Sequence, residues 1–362
     1  MTDKVKNIFI TFSFIALIIL ILFINIIKKS TIVSLSERRK LQQFPKFTVE
    51  TLFNGKFFKD FDTYTMDQFV NREEFRKLKA KVETDIFNKQ DYKNIYIYNN
   101  KLINMLYPLN ESSVANITKK MNEIKNNYLD QSNRIYYTVI PDKNYFVDDN
   151  NLKVDYVELK KLMKDNLNWA EYIEICDLLD LDSYYTTDSH WKQEKLPNVA
   201  NRILQCMDIY ISTKYDKKEI IDFKGVYSGQ FPIQVGEDTI SILTNDILNK
   251  CSVYNFENNS YTHIYAMDKI NSNDKYDIYL SGATPLLMIE NPSNNSSKEL
   301  VVFRDSFASS LIPLLVEGYS NITVIDTRYI SPKVLDRYVN FEGKDILFAY
   351  STMLINNSSS IK

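Results

Sequence analysis

Residues 300–315 change from a strand pattern to a helix pattern within a few positions, and this change constrains the fold strongly. The apolar, partly β-branched run 300–303 predicts a buried strand, and the apolar residues after Ser306 recur at helical spacing. The chain must therefore turn at Arg304, Asp305 and Ser306. A serine at such a turn lies beside the N–H groups of the helix start, which can stabilise a developing oxyanion. Asp305 and Ser306 are also common capping residues, and this segment alone favours capping.

Helical stretches followed by short apolar runs recur along the chain. Residues 114–129 have an amphipathic helix pattern and precede the apolar run 134–140, and further apolar runs occur at 321–326 and 345–350. This alternation is typical of α/β domains in which helices cover both faces of a mainly parallel sheet. We assign this domain to residues 91–362. Between residues 211 and 275 the periodicity weakens, which predicts an inserted β-rich lobe.

Asp142 and Lys143 follow directly after the predicted strand 134–140. Ligand sites of open α/β sheets gather beyond the carboxyl ends of the strands, so both residues are candidates for a site. A solvated pair on the surface is the simpler interpretation, and the sequence slightly favours it.

The N-terminal region contains a run of residues, 8–27, that carries no charge. About twenty apolar residues in a helix cross a bilayer, so this run predicts a transmembrane segment. No cleavage pattern of small residues follows it, which favours an uncleaved signal anchor over a removed signal peptide. Residues 1–7 are then a cytoplasmic tail, and residues 28–90 form a connector with an amphipathic helix.

The charges around this segment do not agree with an outward-facing domain. Lys4 and Lys6 precede the segment, and more basic residues follow it: Lys28, Lys29, Arg38, Arg39 and Lys40. The positive-inside rule alone therefore keeps the large domain in the cytoplasm. Long domains are translocated despite such charges, so the residues themselves leave the orientation open.

Composition excludes several functional classes. The 362-residue chain carries 44 Lys and Arg against 46 Asp and Glu, a net charge of −2, which offers no basic footprint for nucleic acid. Cys176, Cys206 and Cys251 lack metal-ligand spacing and are interpreted as core residues or as one disulfide with a free thiol. The chain has only seven glycines, and no phosphate-binding Gly-rich loop occurs among them. We expect no metal site and no cofactor.

A second polar segment, residues 185–191, contains the partners that a nucleophilic serine needs. The chain has two histidines, His190 and His263, and Asp188 precedes the first by two positions. In an extended segment, side chains at i and i+2 lie on the same side, so this carboxylate can orient the imidazole. His263 lies in a strand-like run and is interpreted as structural. Asp188, His190 and Ser306 together predict a catalytic triad, which depends on geometry and not on chain order.

These segments resemble the DHHW family, which is related to the SGNH-hydrolase-like domains of bacterial alginate O-acetyltransferases. The resemblance rests on Asp-Ser-His-Trp at 188–191 and Arg-Asp-Ser-Phe at 304–307, and it covers most of the chain after the membrane segment. In the family's naming motif the second residue is His, whereas this chain has Ser189. The resemblance implies a three-layer αβα domain outside the membrane and an acyl intermediate on Ser306. It also implies a polysaccharide substrate and a multipass membrane O-acyltransferase that supplies the acyl group.

The resemblance further implies residues that bind an oxyanion or the substrate. In related domains a glycine and often an asparagine supply oxyanion donors, and Gly282 matches the glycine. Ala283 stands where the asparagine is expected and lacks a side-chain donor; such a loss typically costs on the order of 100–1000-fold in rate. Other candidates for these contacts are Arg304, Trp191 and Tyr227.

Two functions remain in view. The first is a membrane-anchored, extracytoplasmic carbohydrate O-acetyltransferase or acetylesterase that acts on an exopolysaccharide or cell-wall glycan. The second is a catalytically inactive glycan-binding or scaffold component of a polysaccharide-modification complex. Ser189 and Ala283 motivate the second function, whereas the complete set of Asp188, His190 and Ser306 favours the first.

Overall fold

The computed structural model describes residues 2–34, 36–37, 39–148, 150–231, 233 and 235–362. The chain forms two compact units. The N-terminal unit comprises residues 1–93 and 228–234, and the sheet unit comprises residues 94–227 and 235–362. Arg38, one of the charges that follow the apolar segment, lies outside the described residues.

The N-terminal unit is mainly helical. Its elements, in chain order, are α1 (Asp3–Ile27), β1 (Val33–Ser34), β2 (Arg39–Lys40), α2 (Val49–Phe53), α3 (Lys56–Asp67), α4 (Arg72–Lys81) and a π-helical turn (Val82–Ile86). Within the described part of the chain, α1 is the one helix long and apolar enough to cross a membrane. None of its residues is buried. A core helix would hide these side chains, so α1 has the properties of an anchor or a signal sequence.

Ion pairs hold the connector that follows α1. Arg39 donates two hydrogen bonds to Asp67, at 2.9 and 2.6 Å, and the N–H of Gln42 donates to the same carboxylate at 2.8 Å. The Arg39 hydrogen bond is the largest influence on Asp67 and holds its pKa below the usual range. Arg72 forms a further ion pair with Glu37 at 2.5 Å. The connector is thus attached to the helices of its own unit by charge-assisted hydrogen bonds.

The sheet unit alternates strands and helices. Its strands are β3 (Ile95–Tyr98), β4 (Lys101–Asn104), β5 (Arg134–Ile140), β6 (Glu171–Tyr172), β7 (Asp216–Phe223), β8 (Asp238–Thr244), β9 (Ser252–Asn255), β10 (Ser260–Thr262), β11 (Leu286–Glu290), β12 (Glu299–Arg304), β13 (Asn321–Ile325) and β14 (Asp345–Ser351). Its α-helices are α5 (Glu111–Tyr128), α6 (Tyr156–Asn166), α7 (Pro197–Cys206), α9 (Asp246–Lys250), α10 (Ala308–Leu311) and α11 (Thr352–Ile355), while α8 (Val226–Gln230) crosses the boundary between the units.

An eight-stranded sheet organises this unit, in the order β10-β9-β11-β13-β12-β14-β5-β6. The strands from β13 to β6 run parallel. Beyond β13, each pair of neighbouring strands is antiparallel: β11 with β13, β9 with β11, and β10 with β9. The strand 300–303 predicted from sequence is the core of β12, which lies between β13 and β14.

Both faces of the sheet are covered. Leu300 and Val302 of β12 belong to a core cluster that includes α7, whereas Val301 and Phe303 belong to a second cluster that includes α5 and α6. This alternation follows from the two-residue period of a strand. The predicted α/β class, with three αβα layers and a mainly parallel sheet, is confirmed.

Local turn chemistry explains the small hairpin before α5. Asn99 and Asn100 have φ angles of 46° and 59°, and they connect β3 to β4 at the pair Tyr98–Lys101. Asparagine tolerates this left-handed region, so these two residues form the tight turn of a hairpin.

The lobe predicted at 211–275 is divided in the structure. Strands β7 and β8 pair only with each other among the described residues and form a separate two-stranded sheet. Strands β9 and β10 instead extend the central sheet, because β9 pairs with the edge of β11. The sequence could not separate these cases, because strand pairing depends on which distant segments meet.

Candidate active site

A sharp turn presents Ser306 at the carboxyl end of β12. Asp305 fixes this turn, because its carboxylate accepts a hydrogen bond from the N–H of Phe307 at 3.0 Å and from the N–H of Ser351 at 2.9 Å. The Ser351 hydroxyl donates to the same carboxylate at 2.5 Å. Asp305 therefore stabilises the turn through a local hydrogen bond and joins it to the end of β14. It does not cap the helix, because α10 begins after Phe307 and no side chain caps it. The Ser306 side chain remains half-buried.

A closed loop presents Asp188 and His190. The loop is sealed by an antiparallel bridge between Tyr184 and Trp191 and by hydrogen bonds from Tyr185 N to His190 O and from Lys192 N to Ser183 O, at 3.1 and 2.8 Å. This closure directs the two side chains, which are separated by one residue, to the same side of the loop.

The two segments meet in a continuous hydrogen-bond chain. His190 Nδ1 lies 2.6 Å from Asp188 Oδ1, and His190 Nε2 lies 2.9 Å from Ser306 Oγ. The fold thus brings Ser306 and His190, which are 116 residues apart in the sequence, within hydrogen-bond distance. In this geometry Nε2 can accept the hydroxyl proton, provided that Nδ1 carries the hydrogen bonded to Asp188.

Asp188 is fully buried as a charged group. Its Oδ1 accepts the N–H of His190 at 3.1 Å, and its Oδ2 accepts the N–H of Val226 at 3.0 Å. Burial acts to raise the pKa of Asp188, but the His190 hydrogen bond and charge and these two N–H groups outweigh it. The pKa of Asp188 therefore lies well below its usual range, and the carboxylate stays ionised near neutral pH.

Aromatic rings hold the imidazole from both sides. Tyr276 stacks on His190 with ring centroids 3.8 Å apart and an interplanar angle of 8°. Phe307 lies against the same ring at 4.8 Å. The Tyr276 hydroxyl is fixed in turn by Ser310 Oγ and Phe307 O, at 2.7 and 3.1 Å. The sequence analysis missed this role of Tyr276, because a stacking partner so distant in the chain leaves no local pattern.

Asp238 fixes the loop that carries Asp188. Its carboxylate accepts the N–H groups of Thr186 and Thr187, at 2.6 and 2.7 Å, and the Thr187 hydroxyl at 2.6 Å. Thr187 Oγ1 also accepts the N–H of Gly225 at 2.8 Å. Asp238 opens β8 within the weakly periodic region, and no feature of the sequence distinguished it.

Asp142 and Lys143 are buried, which corrects the interpretation as a solvated surface pair. Lys143 Nζ donates to the carbonyl oxygens of Tyr185 and Thr186, at 3.1 and 3.4 Å, and lies 4.9 Å from the centre of the Tyr227 ring. Burial lowers the pKa of Lys143 from 10.5 to about 7, although the charge of Asp188 acts to raise it. The ammonium group thus supports the backbone that leads into Asp188.

The carboxylate of Asp142 joins two other parts of the fold. It accepts hydrogen bonds from the hydroxyl groups of Tyr156 and Thr352, at 2.9 and 2.6 Å, and from the N–H of Asn144 at 2.7 Å. Burial raises the pKa of Asp142 above its usual range despite these hydrogen bonds. The pair at the end of β5 therefore supports neighbouring loops from inside the protein.

Gly282 does not offer the free N–H group that the family resemblance implies. Leu280, Ser281 and Gly282 have φ angles of 52°, 59° and 71°, and this left-handed turn directs the N–H of Gly282 to Tyr279 O at 3.2 Å. Its carbonyl oxygen accepts a hydrogen bond from Arg304 at 2.8 Å. The expectation for Gly282 as an oxyanion donor is therefore corrected, because its donor is already engaged.

Arg304 and Trp191 are internal groups and not substrate contacts. Both side chains have no exposed surface. Arg304 donates to Ser309 Oγ and Gly282 O, each at 2.8 Å, and Trp191 Nε1 donates to Phe307 O at 2.8 Å. Both were predicted as oxyanion or substrate candidates. The structure does not support a direct contact, because both side chains are fully buried, although Arg304 Nε has no hydrogen-bond partner among the described residues.

Tyr227 lies beside the site but is only 5% exposed. Its N–H donates to Thr187 O at 3.0 Å, and its ring faces the Lys143 ammonium. These contacts support the loop around Asp188, so a direct substrate contact by Tyr227, which the sequence suggested, is not supported.

One backbone donor is available next to the nucleophile. No acceptor for the N–H of Ser306 occurs among the described residues, whereas the N–H of Phe307 is engaged by Asp305. Ser189, which replaces the family's histidine, lies 3.5 Å from both Asp188 Oδ1 and His190 Nδ1. Ala283 is exposed.

The remaining candidates lie outside this site. His263 is exposed and follows β10. Cys176, Cys206 and Cys251 are free thiols. Within the described ranges no group of three or more His, Cys, Asp or Glu side chains could hold a metal ion.

Comparisons with known proteins support the motif resemblance at the level of the fold. No family profile matches the chain, and no curated protein matches it. A DHHW family protein from Eubacterium siraeum has a similar structure, with a TM-score of 0.61 and 17% identity over 74% of this chain and 92% of that one. Bacillus cereus PatB1, solved with a sulfonyl adduct, gives a TM-score of 0.57 and 15% identity over 72% of this chain and 95% of that one. The chain therefore shares its fold with these proteins.

Gly225 provides a test of how tightly Asp188 is held. A Cβ atom at Gly225 would lie 2.4 Å from Asp188 Cα, so the backbone must move in Gly225→Ala. We expect a loss of stability on the order of 1–3 kcal/mol and a slower reaction of Ser306 with a sulfonyl fluoride. Gly343→Ala is the control, because no atom lies within 4 Å of its added Cβ and only its φ of 70° is strained. Thermal unfolding and the rate of sulfonylation measure both effects. A Gly225→Ala variant that reacts at the wild-type rate would show that this contact does not position Asp188.

Lys143 predicts a pH dependence of stability. Above pH 7 the folded lysine loses its proton, whereas the unfolded chain keeps one up to its ordinary pKa of 10.5. Between pH 7 and 10.5 the unfolded state thus binds more protons than the folded state. The contribution of Lys143 therefore makes the free energy of unfolding increase as the pH rises, by up to about 1.4 kcal/mol per pH unit. The difference in unfolding free energy between wild type and Lys143→Met should change accordingly between pH 7 and 10. Lys164→Met, at an exposed helix position, controls for the lost charge. A difference that stays constant across this window contradicts the prediction.

Proposed function

We propose that the protein is a membrane-anchored, extracytoplasmic carbohydrate O-acetyltransferase or acetylesterase, with Ser306 as nucleophile, His190 as general base and Asp188 as the group that orients His190. The observation that carries this proposal is the unbroken hydrogen-bond chain from Asp188 Oδ1 through the imidazole to Ser306 Oγ, at 2.6 and 2.9 Å. A purely structural serine cap does not require a buried carboxylate behind a histidine. This arrangement is the one that nucleophilic acyl transfer needs.

The residues perform the chemistry in two steps. As Ser306 Oγ bonds to the carbonyl carbon of the acyl donor, its proton passes to His190 Nε2, and the negative charge of Asp188 stabilises the resulting imidazolium. His190 then protonates the leaving oxygen, which leaves an acyl ester on Ser306. A sugar hydroxyl or a water molecule next gives its proton to His190 and attacks this ester. When the ester bond breaks, the proton returns to Ser306 Oγ, and the site is restored.

The Ser306 N–H is the available donor for the oxyanion that forms in each step. It belongs to the same residue as the attacking oxygen, and it has no acceptor among the described residues. The N–H of Gly282 is already engaged, and position 283 holds an alanine instead of the expected asparagine. The site therefore has fewer oxyanion donors than the family resemblance implies. We therefore expect slow turnover, because oxyanion donors contribute strongly to rate.

The substrate and partner are also part of the proposal. The motif resemblance favours a polysaccharide as acceptor. The fold shared with a DHHW family protein agrees with that motif resemblance. The acyl group would come from a multipass membrane O-acyltransferase. The sulfonyl adduct on PatB1 suggests the reagent class with which to probe Ser306 here.

The proposed location rests on α1. This helix has 25 residues and no buried side chain, and it lies near the N-terminus. We propose that it is a single-pass anchor with residues 1–7 in the cytoplasm and the large domain outside. The motif resemblance favours this orientation, although the basic residues that follow the helix favour the opposite one.

Substitution of the triad tests the reaction. Ser306→Ala should abolish both the hydrolysis of an activated acetyl ester and the acetylation trapped on this residue in mass spectra. Asp188→Asn should misorient the base and His190→Ala should remove it, so each should lower turnover on the order of 10³–10⁴-fold. Each variant should remain folded, and Ser320→Ala, at a half-buried serine before β13, is the matched control. Wild-type protein that is no more active than Ser306→Ala, with acyl donors and a membrane partner supplied, would favour the inactive scaffold.

Protease accessibility tests the orientation. Protease added to intact cells should digest the protein after residue 29, because the proposal places that region outside the membrane. Immunoblots against tags at the two ends should show loss of the C-terminal tag alone. Protection of the whole chain until the cells are lysed would instead support the cytoplasmic orientation that the flanking charges suggest.

A further inference from the structure

The N-terminal unit carries an uncovered cluster of aromatic rings. The centroids of its contacting rings are 5.3 to 6.3 Å apart. We call this cluster the aromatic face, and its members are Phe44, Phe47, Phe57, Phe58, Phe61 and Tyr64. Phe44, Phe47 and Phe58 are 61%, 64% and 59% exposed. Rings that pack together this closely normally form the inside of a core, whereas here the unit leaves one side of the cluster open.

Further apolar side chains extend this surface. Val49 and Phe53 of α2 are 69% and 86% exposed, and Met66 near the end of α3 is 58% exposed. Single exposed apolar residues are common on soluble proteins, but a contiguous apolar surface indicates a partner or a membrane. The surface is formed by residues 44–66, which include the segment before α2 as well as α2 and most of α3, so its members are close together in the chain.

Hydrogen bonds attach α3 to the end of α1. The side chain of Asn25 in α1 accepts the N–H of Val70 at 2.8 Å, and Lys28 Nζ donates to the carbonyl oxygens of Gln68 and Phe69, both at 3.4 Å. Gln68 also exchanges hydrogen bonds with the backbone of Thr31, at 2.9 Å each way. The carboxyl end of α3 is therefore fixed beside the point where α1 ends.

This attachment limits how far the aromatic face can be from the bilayer. At about 1.5 Å per residue, a helix of the length of α1 spans about 38 Å, more than the roughly 30 Å of hydrocarbon in a membrane. The end of α1 then lies in the headgroup region. The twelve residues of α3 extend about 18 Å, so no part of that helix is farther than this from the end of α1.

The charges near the aromatic face favour a neutral environment. Residues 44–66 contain three lysines, Lys46, Lys56 and Lys59, and three acidic residues, Glu50, Asp60 and Asp62. Their formal charges cancel, so an electrostatic attraction to anionic lipids or to an acidic partner has no source here. Burial of aromatic rings is the interaction that remains, and aromatic side chains are favoured at the boundary between headgroups and acyl chains.

We propose that the aromatic face lies in the headgroup–acyl boundary of the membrane that α1 crosses. This inference rests on the proposed anchoring by α1. The occupant of the face is the lipid itself. The N-terminal unit thereby lies against the membrane along α2 and α3 instead of hanging from α1 alone.

Fluorescence quenching in full-length protein tests this proposal. The variant Phe58→Trp is reconstituted into phosphatidylcholine vesicles whose acyl chains carry bromine either near the headgroup or near the chain end. We expect the emission of the introduced indole to be quenched, more strongly with bromine near the headgroup, and to the same extent at high salt. Wild-type protein gives the background from Trp169 and Trp191. Tyr210→Trp is the matched control, since Tyr210 is 77% exposed and is not part of the aromatic face.

The outcomes separate this inference from the anchoring on which it rests. Protein that fails to float with the vesicles overturns the anchoring by α1 and this proposal with it. Protein that floats but shows no more quenching at position 58 than at position 210 overturns only the placement of the aromatic face in the membrane. That result indicates that a protein partner covers the face. Quenching at position 58 that disappears at high salt or requires anionic lipid contradicts the apolar burial proposed here.

Discussion

The buried carboxylate of Asp188 is the group on which the candidate site depends. A charge in a protein interior is costly unless hydrogen bonds compensate it, and Asp188 is compensated by His190 on one oxygen and by the N–H of Val226 on the other. The same contacts fix the imidazole opposite Ser306. Loss of any one of them would leave the charge undersatisfied and the imidazole free to turn. One set of contacts thus compensates the buried charge of the carboxylate and fixes the orientation of the histidine ring.

Other buried aspartates repeat this arrangement around the carboxyl ends of the parallel strands. Asp305 joins the Ser306 turn to the end of β14, and Asp238 holds the backbone of Thr186 and Thr187. Asp142 joins the end of β5 to Thr352. Each carboxylate collects backbone N–H groups or hydroxyl groups from loops that are distant in sequence. Loops carry few packing contacts of their own, so such charge-assisted hydrogen bonds are an effective way to make them rigid.

The N-terminal unit differs from the sheet unit in how far its apolar side chains are exposed. In the sheet unit, apolar side chains of β12 alternate between two covered faces, and little of them meets solvent. In the N-terminal unit, α1 and the aromatic face expose their apolar groups. Under the proposed anchoring, one environment would account for both exposures, because a bilayer would cover α1 and its boundary layer would cover the rings beside the end of α1. The proposed chemistry at Ser306 and the proposed anchoring by α1 thus rest on different observations, whereas the outward orientation rests on the motif resemblance.

The sequence by itself determined those features that depend on residues close together in the chain. The pattern of apolar residues predicted α1, the strand 300–303 and the covered parallel sheet. The turn serine and the Asp-x-His spacing predicted Asp188, His190 and Ser306 as one group. Each of these depends on backbone geometry that repeats within a few residues.

Only the tertiary structure decided which polar groups are already engaged. The N–H of Gly282 and the indole N–H of Trp191 are suited to a substrate, but Tyr279 and Phe307 accept them within the protein. The two terminal nitrogens of Arg304 are likewise engaged, by Ser309 and Gly282. Conversely, Tyr276, Asp238 and Lys143 support the site through partners far away in the chain. Hydrogen-bond satisfaction and burial depend on which distant segments pack together, and a local pattern of residues does not contain that information.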